Sequence, residues 1–194
     1  MKKFFLAFLL SITCIGMRAQ MRAHVEPFVG IGASSLLSSG EENGFKTAFA
    51  WKAGAGVSFY PERGGFCVNP ALAITDYAFQ DKAISGMLHR YACDFSLMLG
   101  YNARLGDSNR LSVLAGPYVS VGVSGSDVDE DGYVYNVYDQ FDRVEAGIQA
   151  SLKLNFGGFN IGPEFNYSIK KQTNMPYYDY NTFAVFLNFG YIIR

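Results

Sequence analysis

No stretch of this 194-residue chain approaches the ~18 consecutive apolar residues that a membrane-crossing helix needs. Charge is scarce and nearly cancels. Only 17% of residues are charged and the formal net charge is −1, against roughly 25% charged in soluble domains. That balance removes any global bias toward nucleic acid or anionic lipid. Histidine is limited to His24 and His89, which leaves little for general-base chemistry. Of three cysteines, Cys14 falls in an N-terminal leader. Cys67 and Cys93 fall near opposite ends of neighbouring strands, well beyond the ~7 Å limit for a disulfide, and are expected as free thiols.

What the chain has in quantity is aromatic residues and glycine: 17 Phe, 13 Tyr and 21 Gly. Their arrangement is clearest in residues 143–156, RVEAGIQASLKLNF. Val144, Ala146, Ile148, Ala150, Leu152, Leu154 and Phe156 form one apolar row, and the residues between them are polar or small. Period-two alternation puts the two rows on opposite faces of a strand. Its length exceeds the common soluble strand of about 5–6 residues and suits a tilted membrane-spanning strand of about 9–11 residues or more. Seven more segments alternate in the same way: 22–34, 47–60, 66–78, 89–103, 110–124, 158–171 and 181–193. The expected fold is all-β, an eight-stranded antiparallel up-and-down transmembrane barrel with apolar rows facing lipid and small or polar rows facing inward.

The connections fit that count. Residues 60–65, 105–109 and 156–158 read as tight turns, and 36–46, 79–88, 125–141 and 172–180 as longer loops. Short and long links alternate, as periplasmic turns and extracellular loops do. Pro27, Pro70, Pro117 and Pro163 recur on the apolar faces of alternate strands at spacings of about one hairpin, which predicts a local irregularity at each. Lys2 and Lys3 before an apolar run, with Ala19 ahead of Gln20, read as a cleaved secretory signal over 1–19. The barrel domain then occupies 20–194.

The rival soluble fold is a lipocalin-like small-ligand carrier with the faces reversed. Side-chain volume opposes it, because the apolar rows hold most of the aromatics and the other rows are rich in Gly, Ser and Ala, which fit a crowded barrel interior. Outward aromatics near strand ends, among them Phe49, Phe66, Tyr101, Phe159 and Tyr191, suit interfacial girdles. Nine charged residues fall on inward rows: Glu26, Lys52, Arg90, Asp94, Arg143, Glu145, Lys153, Glu164 and Lys170. Unpaired buried charge is costly, so ion pairs across the lumen and a plugged, non-conducting barrel are expected.

Candidate chemistry is thin, and the expectation is not an enzyme. A rim-site hydrolase or acyltransferase would draw on His89 with Ser85 and Asp81 in the adjoining loop. Asp127, Asp129 and Asp131 followed by Gly132 match the first half of a calcium loop. Tyr138 stands where the twelfth-position Glu belongs, so the acidic run reads as a solvated loop tip and no cofactor is expected beyond that Ca2+ alternative. Tyr133, Tyr135 and Tyr138 in the third long loop, and Tyr177, Tyr178 and Tyr180 in the fourth, offer rigid contact area for a partner or for lipopolysaccharide headgroups.

The leader, the strand pattern and the pieces Ala115-Gly116-Pro117-Tyr118 and Ile161-Gly162-Pro163-Glu164 resemble the PorT-like outer membrane β-barrel domain family of Gram-negative bacteria, small barrels of the OmpA type. The resemblance covers essentially the whole mature chain. It implies an outer-membrane location, a cell-envelope role through loops, and in some relatives a part in protein secretion. It brings no catalytic residues. The chain departs from the usual aromatic end of such barrels by finishing Tyr191-Ile192-Ile193-Arg194. The expected partners are outer-membrane lipid, lipopolysaccharide and an envelope or secretion-machinery protein, not nucleic acid.

Overall fold

Eight long strands follow one another around a closed antiparallel ring in a computed structural model that describes residues 21–38, 45–61, 64–81, 86–106, 109–128, 133–139, 141–170 and 180–193. They are β1 (Met21–Ser38), β2 (Phe45–Pro61), β3 (Gly65–Asp81), β4 (Met87–Arg104), β5 (Asn109–Val128), β7 (Val144–Phe156), β8 (Phe159–Ser168) and β9 (Tyr180–Tyr191). A ninth, β6 (Val134–Asn136), is only three residues long. Each long strand pairs with its neighbours in sequence, and β1 pairs with β9 to close the barrel. The leader expected over residues 1–19 lies outside the described residues, and among those described no helix is long and apolar enough to cross a membrane.

Alternation decides the faces. Val29, Ile31, Leu72, Ile74, Phe95, Val113, Ile148 and Phe189 are exposed, while Glu26, Lys52, Asn69, Ser96, Gln149, Glu164 and Asn188 are buried. This is the reverse of a water-soluble barrel, and it removes the lipocalin-like arrangement. The three tight turns close on glycines with left-handed φ: Gly64 at 87°, Gly106 at 101° and Gly157 at 57°.

At Pro70, Pro117 and Pro163 the predicted irregularity takes a specific form. The ladder to the neighbouring strand omits residue pairs at Pro70, Pro117 and Pro163 and resumes in the same register. Each proline keeps continuous pairing on its other side, with Leu97, Ile148 and Leu187. A missing N–H therefore opens the sheet locally without shifting it. Gly116 and Gly162 precede two of these prolines, and a Cβ there would meet the carbonyl oxygens of Leu97 and Leu152 at 2.1 and 1.7 Å.

Real register shifts lie elsewhere, in the upper thirds of β2 and β5. One separates Thr47 from Trp51 opposite β3, and the other falls beside Tyr91 and Ala92 of β4. The strands also run further toward the long loops than the sequence pattern suggested. β3 reaches Asp81, β4 begins at Met87, and β5 continues to Val128. Above the barrel β5 outlasts β7, and its Ser126, Asp127 and Val128 pair with Asn136, Tyr135 and Val134 of β6. The third long loop is thus partly a projecting β-hairpin.

Candidate functional site

The barrel interior is stratified into a polar middle and two plugged ends. In the middle, Lys52 Nζ donates to Glu164 Oε1 at 2.5 Å, and Asn188 Nδ2 donates to Glu164 Oε2 at 2.8 Å. Lys153 Nζ donates to Glu26 Oε2 at 3.1 Å and to Asn69 Oδ1 at 3.2 Å. Glu145 collects three donors from three strands: Arg90 Nη2 at 2.5 Å, Thr182 Oγ1 at 2.8 Å and the Tyr118 hydroxyl. Asp94 accepts from the hydroxyls of Thr75 at 2.6 Å and Tyr77 at 2.8 Å. A cavity of about 20 Å³ between these groups has room for about one water.

Seven of the nine predicted lumen residues therefore lie inside, six of them in three ion pairs. The other two do not. Arg143 is exposed and stacks on the Tyr138 ring at 4.7 Å, and Lys170 pairs with Asp142 at 2.8 Å at the rim. Both sit past the end of a strand, where alternation no longer sets the face, since β7 begins at Val144 and β8 ends at Ser168.

The tight-turn end is filled by Tyr60, Cys67, Met98 and Leu114, with His24 stacked on Tyr60 at 4.9 Å and Arg110 over the same ring at 4.8 Å. The long-loop end is filled by an apolar cluster including Leu36, Tyr77, Phe79, Leu88 and Phe186. Val137 and Phe141 of the third loop join it, which makes the turn Val137–Asp139 a stopper in the mouth. Tyr138 turns inward beside them, donating to the carbonyls of Tyr91 at 3.1 Å and Ser124 at 3.3 Å where β5 bulges. It occupies the space a Cβ at Gly122 would need, and burial pushes its phenol above the ordinary tyrosine value.

This division sorts the loop tyrosines. Tyr133 and Tyr135 stand out at 66% and 52% exposure on the hairpin. Tyr138 and Tyr180 do not present a free surface, since Tyr180 packs against Phe45 at 5.3 Å and Phe141 at 6.4 Å within the stopper. Tyr177 and Tyr178 lie outside the described residues. So do Asp129 and Asp131, while Asp127 sits at the end of β5 and Tyr138, at the would-be ligand position, points into the barrel. Among the described residues no group of three or more His, Cys, Asp or Glu could hold a metal ion.

His89 has a different partner from either one proposed for it. Its Nδ1 lies 3.1 and 3.2 Å from the two carboxylate oxygens of Asp76, on the outer wall just below the long-loop rim. Asp81 keeps to the end of β3, and Ser85 lies outside the described residues. Asp76 had a legible signal: it continues the outward row of Leu72 and Ile74, where an acid is out of place.

Both ends being plugged, the expected result in a planar bilayer is no large, sustained conductance. Steady single-channel steps from the folded protein would contradict the stratified interior.

No family model matches the chain, and neither does any curated protein. Solved structures do. Ail, the attachment invasion locus protein of Yersinia pestis, crystallised with the heparin analogue sucrose octasulfate, is 15% identical with a TM-score of 0.48, over 89% of this chain and 100% of that one. Neisserial surface protein A is 12% identical with a TM-score of 0.48, over 88% and 98%. The outer membrane protein OprG of Pseudomonas aeruginosa is 11% identical with a TM-score of 0.44, over 91% and 98%.

Proposed function

We propose that this chain is an outer-membrane surface barrel, exported by a leader removed after residue 19, that binds a basic protein partner through its third loop and conducts nothing. Membrane placement is supported by the outer wall. Tyr91 and Tyr101 are both exposed on β4, ten positions apart in sequence. At about 3.3 Å rise and about 40° tilt, ten residues climb roughly 25 Å, the height of an outer-membrane apolar band. The PorT-like assignment stands as part of this proposal, supported by the Gly-Pro strand motifs.

One observation carries the binding reading: the β5–β6 hairpin continues the wall past the start of β7, with Tyr133, Val134 and Tyr135 exposed. Exposed aromatic and β-branched side chains on a rigid ribbon are what a binding surface uses. The partner's charge follows from composition. The connections at that end, residues 39–44, 82–86, 129–143 and 169–179, carry eight Asp or Glu against four Lys or Arg. An excess of acid favours a basic polypeptide and disfavours a polyanion of the sucrose octasulfate kind.

Two measurements test it. The protein should fractionate with the outer membrane and migrate differently on a detergent gel before and after boiling; recovery as a soluble periplasmic monomer would sink the membrane placement. Refolded in detergent, it should retain poly-lysine and ignore heparin, with retention falling steeply as salt rises. Retention of heparin instead would reverse the partner's charge.

A further inference from the structure

The strand register aligns four chemically distinct side chains across the outer wall near the long-loop rim. Asp76 of β3 holds His89 of β4 through Nδ1 at 3.1 Å. His89 is directly paired with Ser126 of β5, and Ser126 with Asn136 of β6. Paired residues on antiparallel strands share a face, with Cβ atoms about 4.5–5.5 Å apart. That face is the outer one: a Cβ on neighbouring Gly125 would lie 3.0 Å from Val137 in the barrel mouth, so Ser126 points the other way. His89 is 31% exposed, Ser126 is half-buried and Asn136 is exposed.

From this row we propose a serine-esterase site on the outer wall that cleaves an acyl ester of an outer-leaflet lipid. The inference goes beyond the binding role and shares with it the membrane placement and the β5–β6 hairpin. Each group has the chemistry its place requires. With Nδ1 bonded to Asp76, Nε2 is the ring nitrogen left to act as base, and Ser126 carries the hydroxyl on the residue directly paired with His89. The Asn136 Oδ1 accepts the backbone N–H of Tyr138 at 3.1 Å, which leaves the carboxamide NH2 as the donor for an oxyanion. Below the row, Phe95, Val121 and Val123 give an exposed apolar wall against which an acyl chain lies.

The reaction balances with water as the only co-reactant. Ser126 Oγ attacks the ester carbonyl while its proton passes to His89 Nε2, and Asn136 donates to the carbonyl oxygen as it becomes an anion. Collapse breaks the bond to the alcohol, which leaves with the proton from His89. Water, deprotonated by the same nitrogen, then hydrolyses the acyl-serine to a free fatty acid and restores the site. Asp76 touches no reacting atom; it is a positioning residue that fixes the imidazole tautomer.

The experiment uses the full-length mature protein refolded in detergent micelles, with gel mobility before boiling as the check on folding. Fatty-acid release is followed from lipid A and, separately, from a diacyl phosphatidylethanolamine, which tells the two sources of the ester apart. Release from either lipid, with S126A and H89F each slowing it by about 100-fold or more, is the expected result. A fluorophosphonate should label the wild-type protein on Ser126, as read by mass spectrometry. D76N should slow release through kcat with KM little changed, a split that a purely structural role would not produce. S124A, outside the row, should behave as wild type. Folded wild-type protein that releases nothing from either lipid and takes no label overturns the site, as does release unchanged by S126A. Because the assay runs in micelles, either outcome is independent of the cellular fractionation result.

Discussion

Glu145→Ala should destabilise the barrel by about 3–5 kcal/mol, the range for breaking a buried pair from one side. Glu145 and Arg90 are 1% and 3% exposed, and the carboxylate also satisfies Thr182 and the Tyr118 hydroxyl. Removing it takes an acid from a buried guanidinium that lies over the Tyr77 ring at 4.9 Å, and takes the acceptor from the Thr182 and Tyr118 hydroxyls. The double variant E145L/R90M removes both members at similar volume and should recover most of the loss, because breaking a buried pair from one side costs more than replacing it whole. Urea titration of protein refolded into lipid vesicles measures both. Trp51 is the single tryptophan and lies on the outer wall at 37% exposure, so its fluorescence reports insertion directly. If E145A stays within about 1 kcal/mol of the parent, the four-strand network is not what holds the middle of the barrel.

Tyr133→Ser with Tyr135→Ser should reduce poly-lysine retention by about 10-fold or more, since exposed aromatic anchors carry a disproportionate share of binding energy. The same pair should leave the urea midpoint unchanged, because both rings are more than half exposed and serve no packing role. Tyr138→Ser and Tyr180→Ser should do the opposite, loosening the stopper while sparing retention. The contrast separates a binding surface from an aromatic anchor. A loss of insertion with retention intact in Y133S/Y135S would make those two tyrosines anchors and remove the binding role.

Period-two alternation was enough to read eight strands, their inward and outward faces and the alternation of short and long links. It works because a strand puts neighbouring side chains on opposite faces and a barrel has no edge at which the rule fails. The contents of the two rows placed the small and charged residues inside. The inward charges named from parity fell inside wherever the strand truly continued, as at Glu26, Lys52 and Lys153, and fell outside where it did not, as at Arg143 and Lys170. Parity carries no information about where pairing stops.

Three things were decided only by the tertiary structure. Which acid meets which base depends on strands far apart in sequence, as in Lys153 with Glu26, and on the angle at which the sheet closes. The mouth is sealed because Val137 and Phe141 have an apolar pocket to enter, made by inward residues of several strands, so a loop that looked solvated becomes half stopper and half hairpin. The row Asp76, His89, Ser126, Asn136 exists only through register: its members come from four strands, and the bulge in β5 beside Tyr91 sets which serine stands opposite the imidazole. A one-residue slip would put that hydroxyl on the other face of the sheet.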